Sequence, residues 1–253
     1  MSASPPADAA LVDAAAARGE LERHLAATDA TYALPATFLD DAQRYVALLL
    51  DANERHNLTR IVVPADVARL HLLDALSALP LIDAADPASA LDLGSGGGVP
   101  GIVLALARPD VRWTLVDSVR RKVETLSGFA EALHLRNLTA VAERAEVLGQ
   151  GAHRESYDLV TARACAALPV LAEYALPLTR IGGELLAWKG PMSEEETIAG
   201  ARDAALLGGA PPEVLPSGVP SLGDHVFVRI RKETATPERY PRRPGVPARQ
   251  PLG

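Results

Sequence analysis

The residues best placed to do chemistry sit near the middle of the 253-residue chain. Leu91-Asp92-Leu93-Gly94-Ser95-Gly96-Gly97-Gly98-Val99-Pro100-Gly101 carries five glycines in the eight positions from Gly94 to Gly101. An apolar run, Ala90 to Leu93, precedes them and a helical pattern, Val99 to Ala107, follows. Glycine allows positive φ and lets a ligand approach the main chain without a Cβ in the way. Such a loop is more than a strand-to-helix turn needs. Two cofactor classes fit it. A dinucleotide fingerprint beginning at Gly94 fails at Val99, but one beginning at Gly96 closes on Gly101, so glycine spacing alone leaves both open. Asp92 tilts the balance, because an acid there can hold the loop and face a cationic ligand group, whereas it suits a pyrophosphate poorly. Asp117, at the end of Trp113-Thr114-Leu115-Val116-Asp117, could accept the ribose hydroxyls of an adenosine or cap the helix that follows.

These residues need elements to hold them. Beyond residue 89, β-favouring runs at Ala90–Leu93, Trp113–Val116, Leu138–Val141, Tyr157–Thr161 and Glu184–Trp188 alternate with helical patterns, among them Val119, Val123, Leu126, Ala130 and Leu133 on one stripe. Short connections between alternating strands and helices predict an α/β fold, a doubly wound, mostly parallel Rossmann-like sheet. Val226–Ile230 reads as a late strand paired antiparallel with Glu213–Leu215. Residues 7–79 are Ala- and Leu-rich and helical in spacing, broken at Asn57-Leu58-Thr59, and predict an N-terminal helical cap. The expected division is an N-terminal extension (1–30), the cap (31–82), the ligand-binding domain (83–232) and a basic, Pro-rich tail (233–253).

Composition narrows the class. The chain is 48% apolar and has a net charge of −7, enough core for a large domain and nothing that suggests general disorder. It contains no apolar run near the ~20 residues a membrane span needs. The acidic N-terminus lacks a secretory layout, and the single cysteine, Cys165, suits a reducing compartment, so a cytoplasmic protein without a metal site is expected. The charge is unevenly spread. From Arg229 onward seven basic residues face two acids, a net of +5, which leaves −12 for the remainder. The Pro-interrupted tail cannot propagate a helix and reads as a solvated segment or as a phosphate-contacting arm.

The glycine loop with Asp117 resembles the S-adenosylmethionine-dependent methyltransferases. More specifically, Asp92 to Gly101, Leu115-Val116-Asp117-Ser118, Arg144-Ala145-Glu146, Tyr157 to Ala164 and Ala187-Trp188-Lys189 resemble the bacterial 16S ribosomal RNA small-subunit methyltransferase G family, also called glucose-inhibited division protein B. Asn57-Leu58-Thr59, His71-Leu72-Leu73-Asp74 and Arg239-Tyr240-Pro241-Arg242-Arg243-Pro244-Gly245 extend the likeness over nearly all of the chain after residue 30. The resemblance implies S-adenosyl-L-methionine as cofactor, held at Gly94, Val99, Ala145, Glu146 and Arg163, with Val99 smaller than is usual at its position. The chain's own loop adds Asp92, Gly96, Gly98 and Asp117. It also implies methylation of N7 of a guanine in the decoding region of 16S RNA, in the small ribosomal subunit; separately, a monomer is expected.

Guanine N7 carries no proton, so the chemistry asks for in-line positioning and exclusion of water, not a general base. Accordingly no residue is expected to be catalytic in the acid–base sense. Where exocyclic-amine methyltransferases place Asn/Asp-Pro-Pro-aromatic, this chain has the donor-rich Thr161-Ala162-Arg163-Ala164. Arg163 could contact guanine O6, a phosphate or a carboxylate, or cap a helix; Lys189 could meet RNA or solvent. Arg239, Arg242 and Arg243 are the tail's RNA candidates. Cys165 reads as a buried small residue, not a nucleophile. His71 and Asp74, three apart on a helix, either fix the cap to the sheet or contact substrate. Two other readings stay open: a small-molecule methyltransferase, and a non-catalytic RNA-binding factor with a vestigial pocket.

Overall fold

A computed structural model describes residues 5–27 and 32–252. Among these residues seven strands form one sheet in the order β3-β2-β1-β4-β5-β7-β6. They are β1 (Ser89–Leu93), β2 (Arg112–Asp117), β3 (Leu138–Ala142), β4 (Tyr157–Arg163), β5 (Thr179–Lys189), β6 (Glu213–Pro216) and β7 (Val226–Arg231). The first five run parallel; β7 pairs antiparallel with both β5 and β6. The expected β6–β7 pairing is present, and β7 also joins the pair to the sheet through β5. Strand order reverses between β1 and β4, so their carboxyl ends open a crevice where ligands bind in such sheets.

Helices α6 (Gly101–Ala107), α7 (Arg120–Ala132), α8 (Ala145–Gln150), α9 (Leu168–Ala175) and α10 (Glu194–Leu206) connect the strands. Two apolar cores result. One lies under α8 and α9, around Leu91, Val160, Leu171, Leu185 and Ile230. The other joins the opposite face, through Trp113, Ile102, Leu115 and Leu186, to the N-terminal helices.

Those helices are α1 (Pro5–Ala27), α2 (Phe38–His56), α3 (Pro64–Asp66), a π-helical segment (Val67–Leu73), α4 (Asp74–Leu76) and α5 (Leu79–Ala85). Helix α2 buries Phe38, Ala42, Tyr45, Val46 and Leu49, the stripe expected from its period. It ends at Asn57, which is left-handed at φ 49° and turns the chain into Leu58-Thr59. The N-terminal extension contributes α1, whose Ala10, Ala14, Ala17 and Leu21 are buried in the cap core. Residues 1–4 and 28–30 of that extension, with residues 31 and 253, lie outside the described residues.

The C-terminal segment departs from the solvated tail that its prolines suggest. Tyr240, Pro241 and Pro247 are buried, and the chain closes with a one-turn helix, α11 (Val246–Arg249). At its start Lys232 is buried, donating to Leu176 O at 2.7 Å and to Thr236 Oγ1 and pairing with Glu155 at 3.2 Å. Burial pushes the ammonium down to about 8, while Glu155 pulls the other way. Composition shows that a Pro-rich stretch lacks helical period; it says nothing of the side-chain and backbone bonds that bind it to distant elements.

Candidate active site

Two cavities meet at the carboxyl edge of the sheet. The first, about 220 Å³, is framed by Leu93-Gly94 after β1, Val116-Asp117-Ser118 after β2 and Glu143-Arg144-Ala145-Glu146 after β3. Cys165 and Tyr174 complete it. Four predicted residues, Gly94, Asp117, Ala145 and Glu146, therefore come together there. Gly94 holds φ +73°, and a Cβ on it would lie 3.2 Å from Cys165 Sγ, so only glycine keeps this wall open. Asp117 both holds the loop and caps: Gly96 N–H donates to Oδ2 at 3.1 Å and Val119 N–H to Oδ1 at 2.9 Å. Asp117 lines the cavity, and each oxygen has accepting capacity beyond its one hydrogen bond. Ala145 opens α8, so its amide is among those with no intrahelical partner. Glu146 is buried, accepting from Gly245 N–H at 2.7 Å and from Arg144 Nη2 at 3.4 Å.

The remaining loop residues support the cavity from behind. Asp92 is fully buried; Thr161 Oγ1 donates to its Oδ1 at 2.9 Å, while Oδ2 lacks a partner with hydrogen-bond geometry. Burial lifts its carboxyl to about 6, against the pull of Thr161 and Ser95. Val99 is buried in the cap-side core, and neither Gly96 nor Gly98 lines the cavity. Gly97 touches the cap: Tyr45 Oη donates to its carbonyl at 2.9 Å, and a Cβ there would sit 2.9 Å from Leu49 Cδ1. The cap thus presses the glycine loop into shape. At the mouth of α7, Lys122 lies 3.8 Å from Asp117, while Arg120 and Arg121 are exposed.

The second cavity, about 440 Å³, is lined by Ile61 and Leu70 of the cap, Ala162 to Ala166, Trp188-Lys189-Gly190 and two polar residues, Asp74 and His225. Cys165 lies in the wall common to both cavities. Contrary to expectation the residue is exposed, and it follows Ala164, which is left-handed at φ 51°. Its thiol is pushed up to about 11 by surrounding atoms and by Asp92, Asp117 and Glu146, which leaves no nucleophilic thiolate at neutral pH.

Arg163 is neither a surface cap nor a free cation. It ends β4 and spans to the π-helical segment, donating to Leu70 O at 2.6 Å, to Asp74 Oδ2 at 3.2 Å and to His71 Nδ1 at 3.2 Å. Asp74 N–H bonds Arg69 O in the π register, not Leu70 O. Asp74 Oδ1 meets His225 Nδ1 at 3.0 Å, and Trp188 Nε1 donates to Asp74 O at 3.0 Å. Burial, followed by the charge of Arg163, lowers His71 to about 4. It is neutral, so Nδ1 accepts from Arg163 and Nε2–H donates to Thr59 Oγ1 at 2.9 Å. Of the two roles open to His71 and Asp74, fixing the cap to the sheet is realised for both, and Asp74 also borders the cavity. Lys189 lines the cavity but is tethered to Glu196 at 2.6 Å and Ala166 O at 3.2 Å.

The tail arginines separate. Arg242 is held by Glu173 through three bonds of 2.6–3.1 Å, whereas Arg239 lies exposed over the Tyr240 ring at 5.0 Å and Arg243 is exposed. His225, Tyr174 and Arg144 also line the cavities, beyond the residues that the sequence singles out. Arg144 stands beside the Ala145-Glu146 motif, but a lone histidine before a late strand and a tyrosine on a crossover helix carry no local signal.

A mostly parallel sheet of this order, with β7 antiparallel, a glycine loop after β1 and an acid ending β2, is the Rossmann-like fold of S-adenosylmethionine-dependent methyltransferases. Solved structures support that fold: a SAM-dependent O-methyltransferase from Thermotoga maritima has a TM-score of 0.50 at 14% identity, covering 75% of this chain and 72% of its own. Cofactor-bound Rv0187 from MTB scores 0.51 at 19% identity, over 76% and 91%. Residues 39–218 match the family model for rRNA small subunit methyltransferase G, and the chain is 48% identical over 211 residues to the enzyme of that name from Deinococcus radiodurans, 83% of each protein. The chain belongs to the rRNA small subunit methyltransferase G family. Its cofactor is S-adenosyl-L-methionine.

Proposed function

We propose that the chain methylates N7 of a guanine in 16S ribosomal RNA, in the decoding region of the small ribosomal subunit, acting in the cytoplasm as a monomer. The name of the Deinococcus relative points to small-subunit ribosomal RNA. Gly94, Asp117, Ala145 and Glu146 fit the cofactor: acceptors for ribose hydroxyls, an amide and an acceptor for an adenine edge, and a backbone with no Cβ in the way. Bound there, S-adenosylmethionine supplies an electrophilic methyl group.

One observation carries the reading of the acceptor. The larger cavity shares the Cys165 wall with the smaller one, and most of its titratable groups are engaged in holding the fold together. Asp74 uses both oxygens, on Arg163 and His225. Lys189 is tied to Glu196, and Cys165 is an uncharged thiol. This is a wall that positions and desolvates, not one that removes a proton. Guanine N7 suits it, since its in-plane lone pair attacks without prior deprotonation. Trp188, Leu70, Ile61 and Leu171 supply apolar surface for a base, and the charges of Arg163 and Lys189 lie beside it. Both cavities are complete within one chain, which supports action as a monomer.

Mapping methylated guanines in 16S RNA from cells with and without the gene tests this. One 7-methylguanine is expected to disappear in the deletion. An unchanged guanine pattern, with loss of a methylated metabolite instead, would establish the small-molecule alternative.

A further inference from the structure

The C-terminal segment, read from composition as solvent-exposed or as an arm for phosphates, bears instead on the helix that carries Ala145 and Glu146. Arg242 donates to both Glu173 oxygens, with Nε at 2.9 and 3.1 Å and Nη2 at 2.6 Å, and its backbone N–H adds a bond of 2.8 Å to the same carboxylate. Glu173 is buried on α9, so the pair is a fork-to-carboxylate contact shielded from water. On one side of Arg242, Pro241 rests on α8. A Cβ on Gly149 would lie 2.9 Å from Pro241 Cγ, and Gln150 Nε2 donates to Pro241 O at 2.7 Å. Arg154 bridges the same two segments, donating to Gly149 O at 2.9 Å and Tyr240 O at 2.7 Å. On the other side, Gly245, left-handed at φ +82°, directs its N–H to Glu146 Oε1 at 2.7 Å. The segment therefore grips α8 at its far end and its first turn, with Arg242 as the fixed point between.

We propose that Arg242 and Gly245 are positioning residues for the cofactor site: they hold α8, and the Glu146 carboxylate in particular, in the orientation that receives S-adenosylmethionine. Arg242 thereby leaves the set of phosphate-binding candidates, and the segment's RNA contacts fall to the exposed Arg239 and Arg243. Helix α8 is only six residues long, too short to keep its own geometry without tertiary support. The proposal rests on Glu146 and Ala145 forming part of the cofactor site.

Arg242→Lys separates the two roles, because it keeps the charge that a phosphate attracts but loses the planar fork that Glu173 needs. The experiment compares wild type, Arg242→Lys, Arg242→Ala and Glu146→Gln by calorimetric titration with S-adenosylmethionine, by hydrogen exchange of amides 145–150, and by binding to small ribosomal subunits over a salt series. Arg242→Lys is expected to weaken cofactor binding about fivefold and Arg242→Ala about tenfold. Faster exchange in α8 and unchanged subunit affinity should accompany both. Cofactor affinity and α8 exchange at wild-type values in Arg242→Lys would overturn the proposal, as would an Arg242→Ala effect confined to subunit binding and its salt slope. If Arg242→Ala fails to fold, Arg242→Lys decides alone. Glu146→Gln retains an oxygen for Gly245 but turns the other into an NH2 donor, removing both the charge and an acceptor for the adenine edge. A normal cofactor affinity in that variant would remove the underlying reading of Glu146; a weakened one beside normal Arg242 variants would remove only the latch.

Discussion

The smaller cavity takes most of its wall from three strand ends in sequence order, 93–94, 116–118 and 143–146. The larger one draws on residues 61, 70, 74, 162–166, 171, 188–190 and 225, from the cap, the middle of the sheet and the turn just before the late antiparallel strand. The first is a property of the parallel sheet itself: any chain that winds this way places those turns side by side. The second exists only because the cap is docked, and one polar cluster docks it at the site, Thr59–His71–Arg163–Asp74–His225. A general ligand site built into the fold thus stands beside a cavity assembled across the chain, the one that the proposed function makes the acceptor site. The second should be the more fragile, and it is where specificity for the acceptor has to reside.

The strongest way to break that contrast is Arg163→Ala. It leaves Asp74, almost fully buried, with only a partly exposed histidine, and removes a donor from Leu70 O. Stability is expected to fall by about 3–5 kcal/mol, the usual result of stranding a buried charge, read by urea unfolding. A loss under 1 kcal/mol would mean that the cap docks without help from the Arg163 cluster.

Next comes acid. His71 binds a proton only near 4 in the folded chain but near 6.5 when unfolded. Between those values the unfolded state takes up a proton that the folded state refuses, so stability drops as pH falls through this window, by up to about 3 kcal/mol. Asp92 acts in the opposite sense. Its folded value is raised to about 6, so its contribution is present at low pH and fades as pH rises through 6. The comparison is therefore between wild type and His71→Gln: the variant should lose less stability on going from pH 7 to 4.5. Parallel pH profiles would show that His71 is not held neutral.

Smallest in free energy, and confined to the other cavity, is Gly94→Val. A branched side chain at φ +73°, aimed at Cys165 Sγ, should weaken S-adenosylmethionine binding at least a hundredfold, an effect of about 2.7 kcal/mol. Titration calorimetry reads it directly, with the melting temperature of the cap-docked fold shifted by only a few degrees. Affinity within threefold of wild type would place the cofactor elsewhere.

The same contrast governs what could be read before folding. Period and punctuation revealed all seven strands, because β-favouring runs bounded by turns are local signals. Gly94, Asp117, Ala145 and Glu146 were legible because each sits at a strand end, where the fold itself brings residues together. Arg163 and Lys189, expected at the pocket rim, line the larger cavity and not the smaller one, and their partners, Leu70, Asp74 and Glu196, are distant in sequence with no spacing to announce them. His225 was invisible for the same reason. Cys165 is exposed where its residue type suggests burial, because residue type carries no information about which wall of the sheet edge a position lines. The C-terminal segment shows the limit most plainly: five prolines and a positive charge describe an unstructured arm, yet hydrogen bonds from backbone and arginine side chains hold it down.

The central claim, that a guanine enters the larger cavity with N7 toward the methyl donor, is tested most directly by a single-turnover transfer. Small ribosomal subunits from cells lacking the protein are mixed with the enzyme and methyl-labelled S-adenosylmethionine, and the 16S RNA is digested to nucleosides. The label is expected in 7-methylguanosine alone, near one methyl per subunit. Label in another nucleoside, or only in a low-molecular-weight acceptor while the subunits stay unlabelled, would contradict it.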